Sequence, residues 1–187
     1  MESKRIILIG GGVRSGKSSF AVELAERLGT RRAFIATARP SDDEMKARIE
    51  RHRRDRREAF TTVEEPVALA DALRNLADCD VAVVDCVTHW LSNLLVRKDS
   101  IDAILEQVDD VVRTLERRRF HAVLVTNEVG MSIHPPTLLG RAFVEVVGWA
   151  HQRLSRAADE LHLAVLGTVV RIRPGLEELR VRRLVEE

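Results

Sequence analysis

Residues 11–18, "GGVRSGKS", constrain the fold more than any other stretch of the chain. Gly11, four residues, then Gly16, Lys17 and Ser18 satisfy the P-loop spacing, which carries chemistry only where a strand ends and a helix begins. Both flanks comply. "RIILIG" (5–10) is a short β-branched apolar run ended by glycines, as expected of a buried strand. "KSSFAVELAERL" (17–28) sets Phe20, Ala21, Leu24, Ala25 and Leu28 at helical spacing and stops at Gly29. Such a loop turns backbone N–H groups inward around phosphate oxygens, and the new helix adds its positive end. Gly11, Gly12, Val13, Arg14, Ser15, Gly16, Lys17 and Ser18 are therefore candidate nucleotide-binding residues. Lys17 is expected to reach the outer phosphates and serve catalysis, and Ser18 to offer its hydroxyl to Mg²⁺.

The rest of the chain alternates in the same way. "AFIATA" (33–38), "FTTV" (60–63), "VAVVD" (81–85), "HAVLVT" (121–126), "LHLAVLG" and "VVRI" read as strands. Ser41 and Glu44 form a capping-box signature for a helix running into the arginines near residue 57. A helix is expected from Pro66, with Val67, Leu69, Ala70, Leu73 and Leu76 following. Others are expected at about 88–96, 101–118 and 137–159, the last packing Leu138, Phe143, Val146, Val147, Ala150 and Leu154. This order predicts an α/β fold, a mostly parallel sheet covered on both faces, with ligands beyond the carboxyl ends of the strands. The loops after residues 10, 38, 85 and 126 are then the ones to build a site. Asp85, ending a strand, suits the Mg²⁺ shell; the plainer alternative is an aspartate capping the next helix. Asn127 and Glu128 end another strand, where a simple polar turn is the alternative.

Length and composition narrow the options. The 187 residues suit one domain, with the charged stretch from about 174 to 187 expected to fray or lie on the surface. A net charge of +1, 4% aromatic residues and no tyrosine argue against a nucleic-acid partner. Cys79 and Cys86 fit no metal-ligand spacing and read as reduced thiols of a cytoplasmic protein. The N-terminal apolar run "IILI" is too short for a membrane span.

"MKARIERHRRDRREAF" (45–60) sets one histidine, His52, among Arg51, Arg53, Arg54, Arg56 and Arg57, with Asp55 the only acid between residues 51 and 57. On a helix, Met45, Ile49 and His52 share a face, so an inert histidine at the edge of a packed stripe is one reading. A reactive one is the other. Neighbouring guanidinium charges disfavour a further positive charge, and a neutral imidazole is a nucleophile. The same guanidinium groups suit phosphate oxygens as negative charge builds.

Six segments together resemble the bifunctional adenosylcobinamide kinase / adenosylcobinamide-phosphate guanylyltransferase family. They are "GGVRSGKSSFAVELA", "AFIATARPSDDEMKARIERHRRDR", "TTVEEP", "VVDCVTHWLSNLL", "VLVTNEVGMSIHP" and "GRAFVEVVGWAHQRLSRAADE", in order over roughly residues 5–172. The most specific pairing is "DDEMKARIERH" with "TNEVGMSIHP". The resemblance implies a RecA-like three-layer P-loop fold with about seven strands. It implies phosphorylation of adenosylcobinamide by ATP or GTP, then transfer of GMP from GTP through a guanylyl-histidine to adenosylcobinamide phosphate. By the resemblance His52 is the nucleophile. Residues 11–18, Ala36, Thr37, Ala38, Arg53, Arg54, Asp55, Arg56, Glu64 and Asp85 contact nucleotide, with Ser18 and Asp85 at Mg²⁺. A homotrimer is likewise implied. Alternatives are a guanylyltransferase with little or no kinase activity, and a non-enzymatic P-loop switch or nucleic-acid module using the arginine run. Val13 departs from the family's usual alanine. Trp149 and His151 stand where arginine and asparagine are usual, so contacts there are not carried over.

Overall fold

In the computed structural model, residues 4–39, 59–175 and 177–179 are described. The strands are Ile6–Gly11 (β1), Arg32–Ala36 (β2), Thr61–Glu64 (β3), Val81–Asp85 (β4), His121–Val125 (β5), Glu160–Val165 (β6), Thr168–Arg173 (β7) and Glu177–Leu179 (β8). The helices are Lys17–Leu28 (α1), Leu69–Arg74 (α2), Val87–Val96 (α3), Ile101–Glu116 (α4) and Leu138–Ala157 (α5). All eight strands form one sheet in the order β3-β2-β4-β5-β1-β6-β7-β8. From β3 to β6 every neighbouring pair is parallel, and β7 and β8 add antiparallel.

The central strands are apolar throughout because both faces are covered. Side chains alternate across the sheet. Ile6, Leu8, Ala82, Val84, Ala122 and Leu124 join one core with the buried faces of α2 to α5. Ile7, Ile9, Val81, Val83, Val123 and Val125 join a second core with Phe20, Ala21 and Ala25 of α1. The result is three layers, with β5 and β1 side by side at the centre.

Two aspartates pin the edge where the strands begin. Asp80 accepts from the Thr30 and Arg31 backbone N–H groups and from the Arg31 guanidinium, tying the start of β2 to that of β4. Arg31 holds this carboxyl well below the usual carboxylate range. Asp159 accepts from the Ile6 N–H at 2.7 Å and pairs with Arg118.

Several expectations need correction. The helix after Pro66 begins only at Leu69, because the Glu65 carboxylate accepts the N–H groups of both Val67 and Ala68 at 2.8 Å. Leu138 does not pack into the core; it is 79% exposed in the first turn of α5, where Thr137 caps the helix through Gly140. The tail does not simply fray: residues 177–179 pair with β7 as a short eighth strand. The helix expected over the arginine run lies outside the described residues. No helix among the described residues is long and apolar enough to cross a membrane.

His162 on β6 sets a pH limit on this fold. Its ring lies against Phe20, its Nε2 meets Glu160 at 3.1 Å, and its buried Nδ1 has no partner among the described residues. Burial pushes its pKa down, aided by Arg171 and Arg5 and opposed by Glu160. A depressed histidine pKa means the unfolded chain takes up protons first. The stability is therefore present above about pH 6.5, the unfolded value, and lost as pH falls below it. His151 is lowered in the same direction by burial. Melting temperature measured from pH 7.5 to 5 should fall, and His162→Leu should flatten that slope; an unchanged slope would refute the assignment. The arginine-paired carboxylates Asp80, Asp99 and Asp110 lose their contribution only in a separate window, below about pH 4.

Candidate active site

β1 delivers the chain into the phosphate loop under tight steric control. Gly11 has φ 158°, and a Cβ there would lie 2.4 Å from the Ala164 carbonyl oxygen of β6 and 2.7 Å from Ser15 Oγ. Gly16, at φ 92°, is the left-handed residue that turns the loop into α1. Arg14 also takes a left-handed φ of 55°, and Gly12, Val13 and Arg14 face solvent. The Lys17 stem is buried, with 7% of the residue exposed, and its ammonium donates to the Gly12 carbonyl at 3.0 Å. The loop is thus closed by its own lysine. Ser15 Oγ is buried with no hydrogen-bond partner among the described residues.

The neighbouring strand ends are joined to one another by side chains. Thr37, fully buried beyond β2, donates its hydroxyl to the Cys86 carbonyl at 2.7 Å and accepts the Cys86 N–H at 2.9 Å. Its own N–H reaches the Asp85 carbonyl, and its carbonyl accepts from Asn93 Nδ2 at 2.8 Å. Thr88, in the first turn of α3, accepts from both the N–H and the Nδ2 of Asn127. Its oxygen also lies 3.0 Å from Cys86 Sγ, a contact in which either group can donate. On the far side, the Glu128 N–H donates to the Gly11 carbonyl. A polar chain therefore runs from β2 through β4 and β5 to the phosphate loop.

This network also decides which groups are reactive. Burial pushes the Cys86 thiol up to about 11, with Asp85 adding to the rise; the Thr88 hydrogen bond and the Lys17 charge pull against it. The thiol stays protonated at neutral pH and is no nucleophile. Cys79 is raised by burial as well, and both cysteines are free.

Of the residues singled out from sequence, 11–18, Ala36, Thr37, Ala38 and Asp85 gather at one edge of the sheet, where β1, β2 and β4 end. Thr37 is there with its hydroxyl already committed to Cys86. Glu64 ends the outermost strand β3 and is exposed; its neighbour Glu65 is the carboxylate occupied by backbone. Among the described residues no group hydrogen-bonds the Asp85 carboxylate or the Ser18 hydroxyl. His52, Arg53, Arg54, Asp55 and Arg56 lie outside the described residues. Thr88 was missed from sequence, because its partners Cys86 and Asn127 carry no spacing signature.

Comparisons with known proteins agree over nearly the whole chain. Residues 7–172 match the family model described as cobinamide kinase / cobinamide phosphate guanyltransferase. The chain is 39% identical over 163 residues to the bifunctional adenosylcobalamin biosynthesis protein CobP of Pseudomonas aeruginosa, covering 86% of this chain and 92% of that one. It is 37% identical over 181 residues to the protein CobU of Escherichia coli, covering 90% and 99%. Among solved structures, the RadB recombinase superposes with a TM-score of 0.53 at 14% identity, covering 97% of this chain and 84% of that one. The ATPase domain of G40P gives 0.54 at 11%, covering 94% and 80%. Those identities speak for fold alone, a RecA-like P-loop α/β fold. With the phosphate loop and Asp85 at one sheet edge and the match spanning residues 7–172, the chain belongs to the cobinamide kinase / cobinamide phosphate guanyltransferase family.

Proposed function

We propose that this chain phosphorylates adenosylcobinamide and then transfers GMP from GTP, through a guanylylated His52, to adenosylcobinamide phosphate, yielding adenosylcobinamide-GDP for cobalamin biosynthesis. The observation that carries this reading is the closed phosphate loop beside Asp85, in a chain that matches the family from residue 7 to 172. ATP or GTP donates the phosphoryl group in the first step.

In that step Lys17 exchanges its bond to the Gly12 carbonyl for the outer phosphate oxygens, and the loop N–H groups and the start of α1 hold the rest. Ser18 and Asp85 are hard oxygen donors left without hydrogen-bond partners among the described residues, a set that suits Mg²⁺. When bound, Mg²⁺ would neutralise charge on the phosphates. In the second step His52 attacks the α-phosphorus of GTP and pyrophosphate leaves. The phosphoramidate then passes GMP to the phosphate of adenosylcobinamide phosphate, freeing the imidazole. Lys17 and Arg53, Arg54 and Arg56 offset charge on the departing pyrophosphate. Asp55, Glu64, Ala36, Thr37 and Ala38 complete the nucleotide site. The reaction would run in the cytoplasm and in a homotrimer.

A pair of labels tests the reading. [α-³²P]GTP should leave label on the denatured protein that survives alkali, is lost in acid and is chased off by adenosylcobinamide phosphate. [γ-³²P]GTP or ATP should label adenosylcobinamide. A γ-label that never reaches the corrinoid would leave a guanylyltransferase alone; absence of both would leave only a phosphate-binding protein.

A further inference from the structure

The end of β5 carries a group that the mechanism above does not use. The Asn127 side chain is fixed by its nitrogen: Nδ2 donates to Thr88 Oγ1 at 3.0 Å and lies 4.0 Å from Cys86 Sγ, while the Asn127 N–H reaches the same hydroxyl at 3.3 Å. The amide is therefore oriented, nitrogen toward α3 and carbonyl oxygen away from it. Among the described residues nothing donates to that oxygen, and Asn127 is only partly buried. Its position is equally fixed. The next residue bonds the first glycine of the phosphate loop, and Lys17 acts electrostatically on the same thiol that the amide touches. A P-loop lysine marks the β- and γ-phosphates. Asn127 thus carries an open acceptor one residue from the backbone bond to the phosphate loop.

We propose that Asn127 Oδ1 accepts the hydrogen bond of the substrate hydroxyl that attacks the γ-phosphorus, with Thr88 as the residue that positions it. The inference rests on the kinase half of the proposed function and assigns a group specific to that half. In the transfer, the hydroxyl oxygen forms its bond to the γ-phosphorus as the bond from that phosphorus to the β-bridging oxygen breaks. The nucleoside diphosphate leaves with the electron pair, and the hydroxyl proton is released to water. The amide oxygen is too weak a base to take that proton; it aligns the attacking oxygen, and alignment of this kind is worth about 10²-fold in rate.

The test compares two rates in each variant: phosphorylation of adenosylcobinamide from [γ-³²P]ATP and self-guanylylation from [α-³²P]GTP. Asn127→Ala should lower kcat of the kinase step by about 30- to 100-fold with KM for ATP changed less than about threefold, so that the ratio of the two rates falls by at least tenfold. Thr88→Val should lower the same ratio in the same direction, and Thr88→Ser, which keeps the hydroxyl, should restore it. A ratio within twofold of the unmodified chain in both Asn127→Ala and Thr88→Val overturns the assignment, as does an equal loss of both rates. If the unmodified chain phosphorylates no adenosylcobinamide, the kinase reading itself fails, and the inference falls with it.

Discussion

Replacing His52 with alanine is expected to abolish the covalent label from [α-³²P]GTP while phosphorylation of adenosylcobinamide continues. The expectation has a simple chemical basis. Transfer through the enzyme needs a nucleophile that is neutral at working pH and can later leave. The thiol best placed near the phosphate loop, Cys86, is ruled out by burial, which keeps it protonated. Lys17, the buried cation of the loop, is held by the Gly12 carbonyl and serves the phosphates as a charge. His52, the nucleophile implied by the family resemblance, is set among arginines that suit a pyrophosphate leaving group. Loss of a covalent nucleophile is an all-or-none effect on the label. Persistence of acid-labile radioactivity on the His52→Ala protein, at more than a few per cent of the parent level, would remove the histidine from the mechanism. Retention of kinase activity in the same sample shows that the chain is folded.

Lys17→Met is expected to strike both activities, each by about 10³-fold or more, the scale of losing a group that stabilises developing charge in a shielded site. Methionine is close to the lysine stem in length and apolar character, so the buried part of the side chain keeps its packing while the ammonium is lost. The unliganded loop loses, among other Lys17 contacts, the hydrogen bond to the Gly12 carbonyl. That bond is worth about 1 kcal/mol, so melting temperature should shift by a few degrees only. The two activities fall together because both use the one phosphate loop. Measuring kcat/KM for each step, with the melting curve alongside, decides the matter. If either activity survives within about tenfold, that step does not depend on this lysine.

The contrast between the two variants matters for the mechanism. One separates the activities and the other does not. Together with the Asn127 pair they divide the site into a shared phosphate grip, a guanylyl-accepting side chain and a group that serves the kinase step.

Much of this architecture was legible in the chain itself. The helix expected at 17–28 and the strand expected at 81–85 match α1 and β4 residue for residue. Continuous apolar strands with intervening amphipathic runs were enough to expect a parallel sheet, and the "GGVRSGKS" loop located its ligand edge. These features rest on contacts a few residues apart, where periodicity and glycine placement act directly. Errors arose where a distant or polar partner intervened. Pro66 looked like a helix start, but the Glu65 carboxylate takes the backbone donors of Val67 and Ala68 and delays the helix to Leu69. Leu138 fitted the apolar stripe yet is exposed in the first turn of the helix that Thr137 caps. The charged tail contributes a strand since β7 leaves an edge to pair with.

What the sequence by itself determined was the kind of chemistry: a phosphate-gripping loop between β1 and α1, an acidic strand end at Asp85 and a histidine among arginines. Only the tertiary structure decided how the strand ends are locked together. Thr37 meets Cys86 across 49 residues of chain, and Asn127 meets Thr88 across 39. Such bonds leave no periodicity or spacing to read. They exist because parallel strands far apart in sequence end side by side, and buried hydroxyl and amide groups at those ends must find partners there or pay for desolvation.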